Sequence, residues 1–150
     1  MRTEKTPPKK HLETAIPWMV RLFNGLDQRR DPTVDQPIQA EKLSEFLETN
    51  FGYKDGRGIA GERKCTNVRA CVNYIRSNQL APICSAGKAG YFRGTQPEHF
   101  DKTYSQLYQR VQGLMNPIEG IRKMKQSKFG EDVKSDYSDN FDMNLEDYGL

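Results

Sequence analysis

The sequence predicts a mainly helical α+β fold, on three observations. Apolar residues recur at helical spacing in three short segments. A Gly-rich stretch between two short apolar runs then reads as a β-hairpin. After it, apolar residues step alternately by four and three along one long helix. The chain has 150 residues, 35% of them hydrophobic, and a mean hydropathy of −0.85, which suits one small core with tails.

Residues 1–10 are rich in Pro and Lys and are expected to be a disordered basic N-terminus. A first helix is expected over 14–26, with Thr14 as N-cap and Pro17 tolerated in the first turn. Trp18, Met19, Leu22, Phe23 and Leu26 form its apolar face. Residues 27–36 are charged, contain Pro32 and read as a loop, and Pro37 and Ile38 as a small edge strand. A second helix is expected over 39–50, where Leu43, Phe46 and Leu47 have the i, i+3, i+4 spacing of a buried stripe. Residues 51–64 hold Gly52, Gly56, Gly58 and Gly61 and read as a long loop or a partly ordered insert.

The helix over 66–78 is the most informative element. Thr66 is a good N-cap, and Val68, Cys71, Val72 and Ile75 fall on one narrow face. Thr66, Arg69, Ala70, Asn73 and Ser77 lie opposite, with Arg76 flanking. Pro82, Ile83 and Cys84 make one strand of the hairpin and Tyr91, Phe92 and Arg93 the other, with Ser85 to Gly90 between them. In the last helix Thr95 and Glu98 have capping-box spacing. Phe100, Tyr104, Leu107, Val111, Leu114, Ile118 and Ile121 form a heptad seam, and a kink or break is expected near Asn116, because Pro117 follows.

Charge is uneven. Residues 127–150 hold two basic and seven acidic residues, a net of −5, which leaves 21 Lys/Arg against 13 Asp/Glu in residues 1–126, a net of +8. A basic body with an acidic tail is the asymmetry of a nucleic-acid binder, and equally of a solvated surface with a disordered end. Cys65, Cys71 and Cys84 lack CxxC spacing and His11 and His99 lie far from them, so neither a disulfide scaffold nor a metal site is advertised. The cysteines at 71 and 84 read as small core residues. Gly56-Arg57-Gly58-Ile59-Ala60-Gly61 matches GxGxxG, but no strand precedes it and no βαβ unit surrounds it. With no catalytic constellation, neither an enzyme nor a cofactor is expected. No apolar run reaches membrane-spanning length and residues 1–10 do not resemble a secretory signal, so a cytoplasmic location is expected.

The order helix, helix, helix, hairpin, long helix is that of a winged helix-turn-helix unit, here over 11–94, with 95–126 as a C-terminal helix and 127–150 as a disordered acidic tail. Arg, Asn, Ser and Thr are the residue types that read base edges from a helix in the major groove. On this reading Arg69 pairs with guanine, Asn73 with adenine, and Arg63 and Lys64 meet phosphates. Thr66, Asn67, Arg76, Lys88 at the hairpin tip and Arg93 complete the expected DNA-binding set.

Residues 66–93, about a fifth of the chain, also resemble the recognition-helix-and-wing segment of small winged-helix proteins encoded by bacteriophages. Arg69, Val72-Asn73-Tyr74-Ile75-Arg76, Pro82-Ile83-Cys84-Ser85 and Gly90-Tyr91-Phe92 carry the resemblance. It implies sequence-reading binding of double-stranded DNA inside a bacterial host cell, in phage transcription control or replication. The insert at 51–64 departs from that pattern. Three alternatives stay open. The unit can be a protein-interaction module, using the wing and the acidic tail with its Tyr137, Phe141, Met143, Leu145, Tyr148 and Leu150 to hold a host or phage protein. It can bind single strands by stacking bases on Tyr74, Tyr91 and Phe92. The seam over 100–121 can join a homodimer or pack back on the first helix of its own chain.

Overall fold

The computed structural model describes residues 7–134, which form a mainly helical α+β structure. Its helices are α1 (Lys9–Glu13), α2 (Ala15–Phe23), α3 (Ala40–Phe51), α4 (Thr66–Ser77) and α5 (Pro97–Phe129), and its strands β1 (Ile83–Ser85) and β2 (Tyr91–Arg93) pair antiparallel. The expectation for residues 1–10 is corrected in part, because α1 begins at Lys9. That for the acidic tail is corrected at its start, because α5 runs to Phe129, and otherwise concerns residues 135–150, outside those described.

The expected first helix is two helices. Pro17 cannot donate a backbone hydrogen bond and its ring crowds the carbonyl four residues back, at Glu13, so the chain breaks at Thr14. Thr14 caps nothing through its side chain. Its hydroxyl donates to the Lys10 carbonyl at 2.7 Å, and Tyr53 from the insert donates to the same carbonyl at 2.8 Å. The second helix stops at Phe23, which leaves Leu26 58% exposed, outside the apolar face assigned to it.

Met19, Leu22 and Phe23 of α2, Leu43 and Leu47 of α3, and Val68, Cys71, Val72 and Ile75 of α4 form the core, none more than 2% exposed. Each large member stabilises the fold by about 1.5–3 kcal/mol. Trp18 stacks flat on Phe46 with ring centroids 3.9 Å apart, which extends the α2–α3 contact to the edge of the core.

The insert is ordered. Lys64 donates its backbone N–H to Gly56 at 3.0 Å and Gly58 donates to Glu62 at 2.8 Å, which closes a small loop, and Tyr53 is buried. In the sheet, Cys84 lies opposite Phe92. Ile38 adds a one-residue third strand, exchanging two 2.8 Å hydrogen bonds with Tyr91, as the sequence predicts. Gly90 has φ +112°, and a Cβ there would lie 2.1 Å from the Ile38 carbonyl oxygen, so glycine is required.

The last helix is capped by Gln96, not Thr95. His99 Nδ1 accepts the backbone N–H groups of Thr95 and Gln96 at 3.1 and 3.2 Å, Gln96 returns the contact to the third helical residue, and Pro97 opens the helix. The helix does not break near Asn116. It continues through Pro117 for 33 residues, about 50 Å at 1.5 Å per residue. The carbonyl that Pro117 crowds belongs to Gly113, whose backbone is the easiest to tilt aside. The Thr103 hydroxyl accepts the Ser85 N–H at 3.1 Å, and Val111 is fully buried, so nearly the N-terminal half of α5 is docked on the domain. No residue after Val111 is buried among those described. At Gly130 the chain turns back, and Asp132 takes two hydrogen bonds from Arg122 at 2.8 and 3.1 Å, which with the Val133 N–H hold its carboxyl at about 2. No helix among the described residues is long and apolar enough to cross a membrane.

Candidate functional site

Several cationic and amide side chains gather around α4, and the way that helix starts sets the position of those it carries. Thr66 is not its N-cap. Cys65 occupies that position with φ +55°, so no side chain of the helix boundary reaches back to the free N–H groups. Asp55 of the insert replaces the cap from outside. Its Oδ1 accepts the Asn67 N–H at 2.9 Å, and its Oδ2 accepts the hydroxyl of buried Ser44 at 2.5 Å. A carboxylate at this end also complements the helix dipole. The insert therefore belongs to the frame of the site.

With the Val68–Ile75 side turned inward, Arg69 is exposed and Asn73 half-buried, and neither side chain has a hydrogen bond or ion pair within the described residues. Arg69, Asn73 and Arg76 from α4, Lys88 from the 3-10 turn Gly87–Ala89, Tyr91 from β2 and Arg110 from α5 line one concavity of about 210 Å³. Glu41 is the only acidic side chain of its lining. Arg69, Arg110 and Lys88, with Arg76 beside them and Glu41 opposing, give the hollow a net positive lining. The field acts on Tyr91, whose hydroxyl pKa is raised by burial and drawn partly back by Arg76, Arg69 and Arg110.

Arg76 is a brace. Its Nε donates to the Ile83 carbonyl at 3.0 Å and its Nη2 to Ser85 Oγ at 2.7 Å, with the guanidinium 5.7 Å from the Tyr91 ring centre. Burial pushes its pKa down, and it locks α4 to β1. Two other members of the expected DNA-binding set are engaged elsewhere. Arg63, with 16% of its side chain exposed, pairs with Glu48, a hydrogen bond that raises the arginine's pKa and lowers the carboxylate's. Arg93 makes a two-pronged pair with Asp31 at 2.8 and 3.1 Å. Lys64 and Thr66 are exposed and Asn67 half-buried near the N-terminal end of α4, outside the hollow's lining. So the structure brings together Arg69, Asn73, Arg76 and Lys88 of the expected set and leaves the other five apart.

Arg110 was missing from that set. It lies seven residues after Thr103, on the same face of α5, and Thr103 touches β1. Heptad spacing carries that signal once the hairpin is known to rest on this face. The stacking surface for single strands does not assemble, because Phe92 is 4% exposed against His99 and Tyr91 lies beneath Arg76. All three cysteine thiols are buried with raised pKa, Cys71 to about 12, as suits unreactive core residues.

A second concavity of about 670 Å³ lies between residues 79–82, β1 and α5, with Leu80, Pro82, Phe100, Tyr104 and Leu107 along it. Comparison with models of protein families, with curated proteins and with solved structures finds no match to this chain.

Proposed function

We propose that this chain binds double-stranded DNA as a winged helix-turn-helix unit, with α4 in the major groove and the β1–β2 turn on the backbone. From α2 onward the order helix, single-residue strand, helix, helix, strand, strand, with Ile38 added beside β2, supports the winged-helix reading. The observation that carries the function is the pair Arg69 and Asn73, one turn apart on the outward side of α4, lacking partners in the described fold and flanked by Lys88 and Arg110. Arg and Asn are the side chains whose paired donors and acceptors match guanine and adenine edges, and the surrounding cations suit phosphates. The phage-like segment suggests transcription control or replication as the setting.

A duplex titration over a range of salt tests the proposal. Affinity falls with a log–log slope of about −0.9 per phosphate contacted. Arg69→Ala costs about 1–3 kcal/mol and relaxes sequence preference, whereas Lys88→Ala weakens all sequences alike. Salt-independent binding, or equal and sequence-blind losses from both changes, contradicts the groove assignment. The apolar concavity beside Leu80 and Leu107 favours a second reading, a protein-interaction module. Failure of the isolated chain to bind any duplex would turn the argument to that reading.

A further inference from the structure

The apolar seam of α5 outlasts its support. Thr103 and Val111 are buried on the chain's own domain, and beyond them the seam lies open: Leu114 is 42% exposed, Ile118 43% and Ile121 57%. Lys125 and Lys128 continue the same register, so this face is apolar near the domain and cationic toward its end. The helix passes through Gly113, Pro117 and Gly120 here, residues that helix propensity does not favour, so a projecting stretch of this kind needs packing to hold it. At Gly130 the chain reverses in the left-handed conformation. Asp132 then takes two hydrogen bonds from Arg122, and Lys125 adds a weaker electrostatic pull on the same carboxyl. Arg122 lies one turn past Ile118, and Lys125 one turn past Ile121. The returning chain therefore starts on the side of α5 that carries the open seam, and Val133 is already half-buried.

We propose that residues 135–148 of the same chain fold back antiparallel along α5 and cover Leu114, Ile118 and Ile121. Pattern, charge and length all name this segment as the occupant. Tyr137, Phe141, Leu145 and Tyr148 step by four, four and three, so at about 100° per residue they fall within one arc of about 80°. Asp136, Asp139, Asp142, Glu146 and Asp147 all lie outside that arc. With no basic residue, 135–150 carries a net charge of −5. Residues 114–129 carry Arg122, Lys123, Lys125 and Lys128 against Glu119, a net of +3. An acidic segment neutralises the two lysines of the open face, whereas two such faces set together would oppose them. As a helix, residues 135–148 span about 21 Å, against about 24 Å from Gly130 back to Leu114. The segment is rich in Asp, Asn and Ser, weak helix formers, so its order comes from the contact. A protein partner that takes the tail's aromatic residues must first displace them from α5. The cover does not depend on the nucleic-acid reading.

Paired cysteines in the full chain test this. Leu145→Cys with Ile118→Cys should close an intramolecular disulfide under mild oxidation. It should form about 10-fold or more faster than the disulfide of Leu145→Cys with Asn116→Cys, because docking raises the effective concentration of the first pair alone. Asn116 is exposed and two residues from Ile118, on the opposite side of α5. The native cysteines are buried and do not compete. Ile118→Asp, at an exposed position, sets a carboxylate against the acidic segment. Amides of residues 137–148 should then exchange about 10-fold or more faster than in the native chain, with the melting of the domain unchanged. Equal rates for the two cysteine pairs, or equal exchange in the native and Ile118→Asp chains, overturns the proposal. So does a cross-link that joins two chains into a species of twice 17.3 kDa, which would give the face to a second copy.

Discussion

Replacing Asp55 by alanine removes the support of α4 without touching α4 itself. The carboxylate accepts one of the free N–H groups at the helix start, a contact whose loss typically costs about 1 kcal/mol. The charge beside the positive end of the helix adds about 0.3–1 kcal/mol. The Ser44 hydroxyl, 0% exposed, loses its acceptor, which costs about 1–3 kcal/mol when no other partner is found. Ser44 lies within α3, so its hydroxyl can turn to the carbonyl four residues back and recover much of that last amount. The expected loss is therefore about 2–3 kcal/mol. Urea unfolding followed by circular dichroism measures it, with the midpoint shifting at constant slope. Asp55→Asn keeps an acceptor and should lose about half as much. Ser44→Ala should cost little once Asp55 is already alanine, because the two residues share one contact. A loss below about 0.5 kcal/mol for Asp55→Ala would refute the claim that the insert caps α4.

Gly90→Ala places a Cβ against the Ile38 carbonyl and at a positive φ, so it should cost about 1–3 kcal/mol in backbone strain and free the Tyr91 amide to exchange. Hydrogen exchange at Tyr91 together with thermal melting checks this. His11 is buried against Tyr53 with ring centroids 3.9 Å apart, and its pKa is lowered by burial first and by Lys10 next, against a pull from Asp55. The folded state thus resists protonation. Stability should be whole above the unfolded pKa of about 6.5 and fall as pH drops through it, until the folded group also protonates. Melting from about pH 8 to about pH 5 should show that slope, and His11→Phe should flatten it.

The sequence made the core of this fold legible because periodicity reports burial directly. Val68, Cys71, Val72 and Ile75 could be placed inward from spacing alone, and the Ile38 strand from its position before a helix. The ends of helices were less legible, because caps come from wherever a group can reach. Thr66 and Thr95 have the right side chains at plausible positions, yet Asp55, eleven residues before Thr66, caps one helix, and Gln96 with His99 caps the other. The Asp55 contact is long-range and leaves no periodic trace, whereas the Gln96–His99 box lies one residue beyond the pair that the spacing suggested. The break between α1 and α2 was readable in principle, since Pro17 names the carbonyl it disturbs.

The same argument separates the arginines. In a sequence each is a unit positive charge, and Arg63, Arg69, Arg76 and Arg93 count alike toward a basic body. In the fold their carboxylate and carbonyl partners differ. Arg63 and Arg93 find Glu48 and Asp31, and Arg76 finds Ile83 and Ser85, all distant enough in sequence that composition cannot reveal them. Arg69 finds no such partner among the described residues, and Arg110 arrives beside it from another helix. A positive surface therefore comes from charges the fold leaves over, and net charge overstates it. If Arg69 and Arg110 act together on one anion, alanine at both should weaken duplex binding by less than the sum of the single losses, because removing either already loosens the shared phosphate. Strict additivity in that cycle would mean two separate contacts and would remove the concavity from the interface.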